Sequence, residues 1–151
     1  MTELVVPLDL GVVWEPNAPS AILVADDFGR TAPALEPRQD DQDNRCVVIV
    51  WNATRSVSLA PPNDEAISGH RLYGSGLSDV LWAGLVQDSE AIRSLEGQNR
   101  VHPSHDPAHF AGLVHYVIPL KECVIEVIAE AVAVQRVVGT TLDAAATAMR
   151  A

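Results

Sequence analysis

Residues 47–51, Val-Val-Ile-Val-Trp, are apolar at every position, which is the pattern of a central strand buried on both faces of a sheet. The next run, 55–59, alternates polar and apolar residues and predicts a strand with one solvated face. Short runs rich in Val, Leu and Ile also occur at 10–14, 20–25, 79–87, 113–119 and 123–134. Short strands are stable only when they pair, so their succession decides the fold class.

The links between most of these runs are too short for parallel crossovers, which favours antiparallel pairing. We place the runs 47–51 and 55–59 as a hairpin in the middle of the sheet. The run 31–36, which contains Pro33, is placed at its edge. Helices are expected after Asp88, which can cap the first turn, and at 140–150, with a threonine cap. We therefore predict an α+β, mainly antiparallel β fold: one curled or barrel-like sheet of about seven strands, with one or two short helices and a C-terminal helix.

The length of 151 residues suits a single domain over residues 1–151. Lys and Arg number 10 against 20 for Asp and Glu, so the net charge of -10 repels phosphate backbones and we expect no nucleic acid partner. No apolar run approaches the roughly 18 residues of a membrane span, and the first residues lack the basic start of a signal peptide. Cys46 and Cys123 lie in apolar runs, as reduced packing residues do. We expect a cytoplasmic protein without membrane association.

Three of the five histidines fall within 99–110, where His102, His105 and His109 are spaced three and four residues apart. On one continuous helix this spacing would suggest a zinc site. Pro103 disfavours helix at His102, and Asp106-Pro107 is typical of a helix start, so the three imidazoles should point in different directions. We therefore expect no metal, and a packing contact between His105 and Phe110.

The glycine-rich segment 63–76 holds a second set of polar residues. Glu65 and His70 would form an acid/base pair if the segment folds back on itself, with Asn63 and Tyr73 beside them. The alternative is that Asn63 and its neighbours only close a turn and that His70 faces water.

The third set lies on the predicted hairpin of 113–119 and 123–134. A two-residue turn at 121–122 places His115 opposite Ile128 and on the same face as Glu126 and Glu130, whereas a one-residue slip places Tyr116 opposite Glu126. That face is either a pocket wall or the solvent side. Covalent catalysis has little support, since Ser75 lacks the spacing of a nucleophile elbow and no phosphate-binding glycine loop is present, so we expect no cofactor.

These observations favour a small-molecule-binding protein or a cofactor-free acid/base enzyme with a His/Glu/Tyr-lined pocket. The residues assigned to catalysis are Glu65, His70 and His105, and those assigned to ligand binding are Asn63, Tyr73, His102, His115 and Glu126. The alternative is an acidic interaction module without catalysis that binds a basic protein, because acids cluster at 26–27 and 40–43. A homo-oligomer with histidines at the subunit interface is also left open.

Overall fold

The computed structural model describes residues 2–151, which form a mixed α+β fold with antiparallel sheets. Three short 3-10 helices, Asp64–Gly69, Tyr73–Ser75 and Leu77–Asp79, connect the fifth strand to the sixth. In chain order the strands and α-helices are β1 (Leu4–Leu8), β2 (Ile22–Ala25), β3 (Thr31–Leu35), β4 (Cys46–Asn52), β5 (Ser56–Ala60), β6 (Ala83–Gln87), α1 (Glu90–Asn99), α2 (Ala108–Ala111), β7 (Val114–Pro119), β8 (Val124–Ala129), β9 (Ala131–Val137) and α3 (Thr141–Arg150).

Within residues 2–151 the strands form two sheets rather than one. The five-stranded sheet has the order β1-β6-β7-β8-β5, and the four-stranded sheet has the order β2-β3-β4-β9. Every neighbouring pair is antiparallel, which confirms the predicted pairing mode and the α+β class. The prediction of a single curled sheet of seven strands is wrong.

Two bent strands connect the sheets. β4 continues into β5 and β8 continues into β9, so that β4 pairs with β9 in one sheet and β5 pairs with β8 in the other. Ala53 turns the chain with a φ of 52°, and at the same corner the Glu130 amide donates to the Asn52 carbonyl at 3.3 Å. The predicted central hairpin of β4 and β5 is therefore wrong, because the bend places β5 at the edge of the other sheet.

The sequence placed two other strands incorrectly. The run 10–14 is irregular, although Trp14 is buried in the core, and the first strand is β1 instead. β1 contains Pro7, which an edge strand tolerates. β3 is an inner strand rather than an edge: it pairs with β4 through Thr31, Ala34 and Leu35, so this ladder skips the nitrogen of Pro33, which cannot donate.

The main core lies between the two sheets. β4 contributes Val47, Ile49 and Trp51, and the five-stranded sheet contributes Tyr116 and Ile125 among others, all less than a tenth exposed. The alternate residues of β4 face the other way and pack against the alanines of α3, so β4 is buried on both faces as predicted. Thr140 caps α3, also as predicted, by accepting from the Asp143 amide at 3.2 Å.

The outward face of the five-stranded sheet is covered by the 3-10 helices and by α1 and α2. Val117 and Val124 on this face pack against Leu72 and Leu77 from the 3-10 segment. Gly76, with a φ of 119°, lets this segment approach the backbone of β1 so closely that a Cβ atom would collide with the Val5 carbonyl oxygen. The covering segment is thereby fixed over the face that carries His115 and Glu126.

Candidate functional site

The carboxylate of Glu126 accepts four hydrogen bonds on this covered face. Oε1 accepts from His115 Nε2 at 2.9 Å and from Arg71 Nη2 at 2.8 Å. Oε2 accepts from Arg71 Nη1 at 3.0 Å and from His70 Nε2 at 3.3 Å. Each oxygen thus has two donors, so the carboxylate has no remaining lone pair directed at a ligand.

His115 joins Glu126 to the start of α1. The Glu126 carboxylate can only accept, so His115 Nε2 donates to it, and in the imidazole with a single ring proton Nδ1 accepts from the Ser89 hydroxyl, 2.7 Å away, while Ser89 Oγ accepts from the Ile92 amide at 3.1 Å. Nδ1 is therefore an acceptor, and the imidazole proton lies on Nε2, where it points at Glu126. The result is a continuous line of hydrogen bonds from Ser89 through His115 to Glu126.

His70 is fixed in the same tautomer by its own backbone segment. The Leu72 amide donates to His70 Nδ1 at 3.0 Å, which places the ring proton on Nε2, facing Glu126. The two histidines therefore approach one carboxylate from different elements, one from β7 and one from the 3-10 segment. We call Ser89, His70, Arg71, His115 and Glu126 the Glu126 cluster.

Burial and charge act in opposite directions on Glu126. Burial by itself raises the pKa of the Glu126 carboxyl, but the hydrogen bonds from His115 and Arg71 and the charge of Arg71 outweigh it and hold the pKa well below its usual range. The His115 side chain is 1% exposed, that of Glu126 18% and that of Arg71 53%. The cluster therefore holds an ionised carboxylate inside and presents a guanidinium to solvent.

A small cavity of about 170 Å³ opens beside the cluster. It lies between the outward face of β5 and β8 and the first turn of α1. Its lining residues are Ser56, Ser58, Arg71, Ala91, His115, Glu126 and Ile128.

The sequence left two registers open for this hairpin, and the observed one is that of the two-residue turn, with His115 opposite Ile128 and on the same face as Glu126. Sequence reasoning did not find Ser89. A hydroxyl residue just before a helical run is a cap signal, but the cap was assigned to Asp88. Asp88 has a φ of 53° and forms the turn after β6, so the capping position falls on Ser89.

His105 belongs to a second, separate group. Its Nδ1 accepts from the Asn99 amide at 2.9 Å and its Nε2 donates to Glu96 at 3.1 Å. Its ring lies 5.8 Å from the Phe110 ring, which is the contact expected from the sequence. The hydrogen bond from Arg100 is the main reason that the pKa of Glu96 is lowered, with His105 adding to the effect against desolvation.

The remaining predicted residues do not join the Glu126 cluster. Glu65 is exposed, and His70 pairs with Glu126 in its place. Asn63 caps the first 3-10 helix by accepting from the Ala66 amide at 3.1 Å, which is the alternative role considered for it. Tyr73 lines a different cavity, and His102 lines a third.

The acidic run at 40–43 is engaged within the chain. Asp41 accepts from Arg136 at 2.7 Å, and Asp43 accepts from Arg45 at 2.8 Å. The hydrogen bond from Arg136 lowers the pKa of Asp41, and that from Arg45 lowers the pKa of Asp43. Much of the charge in this run therefore has a cation of its own.

Across residues 2–151, no group of three or more His, Cys, Asp or Glu side chains is arranged to hold a metal ion. Over the same range, every helix is too short or too polar to cross a membrane. Comparison of the chain with protein-family models, with curated proteins and with solved structures finds no match.

Proposed function

We propose that the protein binds a small molecule through an anionic group that Arg71 holds at the mouth of the cavity beside the Glu126 cluster. A guanidinium has five N–H groups, and Glu126 engages one on Nη1 and one on Nη2, so the others remain for a ligand. The hydroxyls of Ser56 and Ser58 line the same cavity and supply further donors.

The single observation that carries this proposal is that the hydrogen bonds of the cluster fix the Arg71 guanidinium through Glu126. His70 and His115 are fixed by other groups and donate to Glu126, and Glu126 then fixes Arg71 through two parallel bonds. A guanidinium held in this way loses little side-chain entropy when it binds an anion. The buried residues thus position one half-exposed cation.

The cavity size defines what enters it. At about 170 Å³ it is smaller than the usual ligand pocket of about 300–1,000 Å³, so it suits a head group such as a carboxylate or phosphate rather than a whole molecule. The net charge of -10 opposes anion binding, and Glu3 and Glu90 act on Arg71 besides Glu126, so the ligand would be held by the remaining guanidinium N–H groups rather than by a positive surface.

Titration with inorganic phosphate and with acetate, followed by amide chemical shifts, tests the proposal. Saturable shifts are expected at Ser56, Ser58 and Arg71. Arg71→Gln should weaken binding about tenfold or more, because it removes a charge-assisted hydrogen bond of about 1.5–3 kcal/mol. Arg93→Gln is the matched control, since Arg93 is 52% exposed and lies outside the cavity. Equal binding by both variants, or no saturable shift in the parent protein, would refute the proposal.

A second candidate function, cofactor-free acid/base chemistry, rests on the line Ser89–His115–Glu126. The Ser89 hydroxyl donates to an imidazole nitrogen, and the other nitrogen donates to a carboxylate, as in a nucleophile, base and orienting group. In such a step Ser89 Oγ would attack the carbonyl carbon of an ester or amide, His115 would take the Ser89 proton and pass it to the leaving alcohol or amine as the old bond breaks, and Glu126 would stabilise the imidazolium. Ser89 is only 5% exposed, so the reaction would require the cavity to open beside Ala91.

A fluorophosphonate probe with intact-mass detection tests this candidate. The expected result is one adduct on Ser89 that is lost in Ser89→Ala and in His115→Gln but retained in Ser56→Ala. An unlabelled parent protein would rule the candidate out and leave the binding function to be judged by the titration.

A further inference from the structure

We infer a second binding site, for a small aromatic carboxylate, in a cavity of about 560 Å³ beside the C-terminal half of α1. It lies apart from the Glu126 cluster and does not depend on the function proposed there. Its lining residues are Arg55, Leu95, Gln98, Asn99, Val101, His102, Pro103 and Phe110, and we call it the Arg55 cavity.

Arg55 is the first reason for an anionic ligand. Within residues 2–151 its side chain forms no ion pair, whereas six other arginines and Lys121 each lie within 4.0 Å of a carboxylate oxygen. Arg30 and Arg150 are the other two of the ten basic side chains without an ion pair in this range, and neither lines the Arg55 cavity. No Asp or Glu lines the Arg55 cavity, so its local charge is opposite to that of the chain.

The exposed guanidinium of Arg55 contacts an aromatic ring instead of a carboxylate. Arg55 Cζ lies 5.7 Å from the centroid of the Phe110 ring, a cation–π contact that leaves its N–H groups free to bind an anion. Phe110 is in turn buried and packed against His105, whose two ring nitrogens are held by Asn99 and Glu96. The residues around His105 thus act as support for the wall of the cavity.

His102 adds a second N–H donor at the same site. The Ser104 amide donates to His102 Nδ1 at 3.0 Å, which places the ring proton on Nε2. Arg55 and His102 therefore both offer N–H groups, which is the donor set that a carboxylate accepts.

The remaining lining residues are mostly apolar and therefore favour a ligand with an apolar group beside its carboxylate. Leu95, Val101, Pro103 and Phe110 supply apolar surface, and the Val101 side chain is 91% exposed at the rim. A volume of about 560 Å³ falls within the usual range for small-molecule pockets, about 300–1,000 Å³. A flat ring with one carboxylate covers the exposed apolar side chains and places its charge at Arg55.

The test uses benzoate as the smallest member of this class, with benzyl alcohol and acetate as matched probes that lack the charge and the ring. Amide shifts at Leu95, Val101 and His102 should saturate with benzoate, and each partial probe should bind about tenfold or more weakly. Arg55→Gln should weaken benzoate binding about tenfold or more, while Arg38→Gln, an exposed arginine outside the cavity, should not change it.

Three outcomes would overturn the inference: no saturable shift with benzoate, equal binding of benzoate and benzyl alcohol, or unchanged binding in Arg55→Gln. Arg71→Gln separates the two sites. It should leave benzoate binding intact, so a failure of the Arg71 proposal and a failure of this one give different results.

Discussion

Replacing Glu126 by glutamine tests the structural reasoning about its cluster most directly. The Glu126 carboxylate accepts in all four of its hydrogen bonds. Glutamine replaces one of the two oxygens by an NH2 group, which cannot accept and must face two of the four donors. A buried donor left without its acceptor costs about 1–3 kcal/mol. Each carboxylate oxygen binds one histidine and one Arg71 nitrogen, so the NH2 group leaves either His115 or His70, both nearly fully buried, without its acceptor, and the half-exposed Arg71 adds little. Urea unfolding monitored by tryptophan fluorescence at pH 7 should therefore show a loss of about 1–3 kcal/mol, equivalent to a fall in Tm of about 2–12 °C in a domain of this size.

The effect should depend on pH in a defined direction. The pKa of Glu126 is lowered in the folded state, so its contribution to the free energy of unfolding is complete above the unfolded pKa of about 4.3 and is lost as pH falls below that value. The gap between the parent protein and Glu126→Gln should narrow by about 1.4 kcal/mol for each pH unit below about 4.3.

Glu130→Gln is the matched control, because Glu130 is exposed and lies four residues further along the same chain segment. It should change stability by less than about 0.5 kcal/mol. A loss below about 1 kcal/mol in Glu126→Gln, or a gap that stays constant from pH 7 to pH 3, would refute the four-donor description of the carboxylate.

Two further predictions concern the segments that frame the sheets. Gly76→Ala should destabilise the protein by about 1–3 kcal/mol or more in urea unfolding, because its φ is 119° and the new Cβ would meet the Val5 carbonyl, whereas Gly74→Ala, with no atom within 4 Å of its Cβ, should be neutral or slightly stabilising. Equal effects of the two would contradict the account of the turn. Thr140→Ala should cost about 1 kcal/mol by removing the cap of α3, and Thr140→Ser should restore most of it; a serine variant as unstable as the alanine variant would show that the hydroxyl does not cap.

The strands that the sequence located correctly have strong local patterns. β4 is apolar throughout and is buried on both faces, and the register of β7 and β8 follows from the length of their turn, which places His115 opposite Ile128. Two further strands were misjudged, β1 being missed and β3 being put at an edge, and each contains a proline, whose cost depends on whether a neighbouring strand requires that N–H. That neighbour is not visible in the local pattern.

The candidate site likewise has features that the local sequence pattern predicts and features that depend on distant segments. The amino-acid sequence by itself determined that an aromatic polar side chain, His115 or Tyr116 according to the register, shares a face of one hairpin with Glu126, because side chains alternate along paired strands. Only the tertiary structure decided that this face is covered and what covers it: His70 and Arg71 reach Glu126 across 56 and 55 residues of sequence, and Ser89 reaches His115 across 26. The physical reason is that alternation specifies the direction of a side chain relative to its own sheet, whereas the partner it meets depends on how distant segments pack to bury their apolar surface.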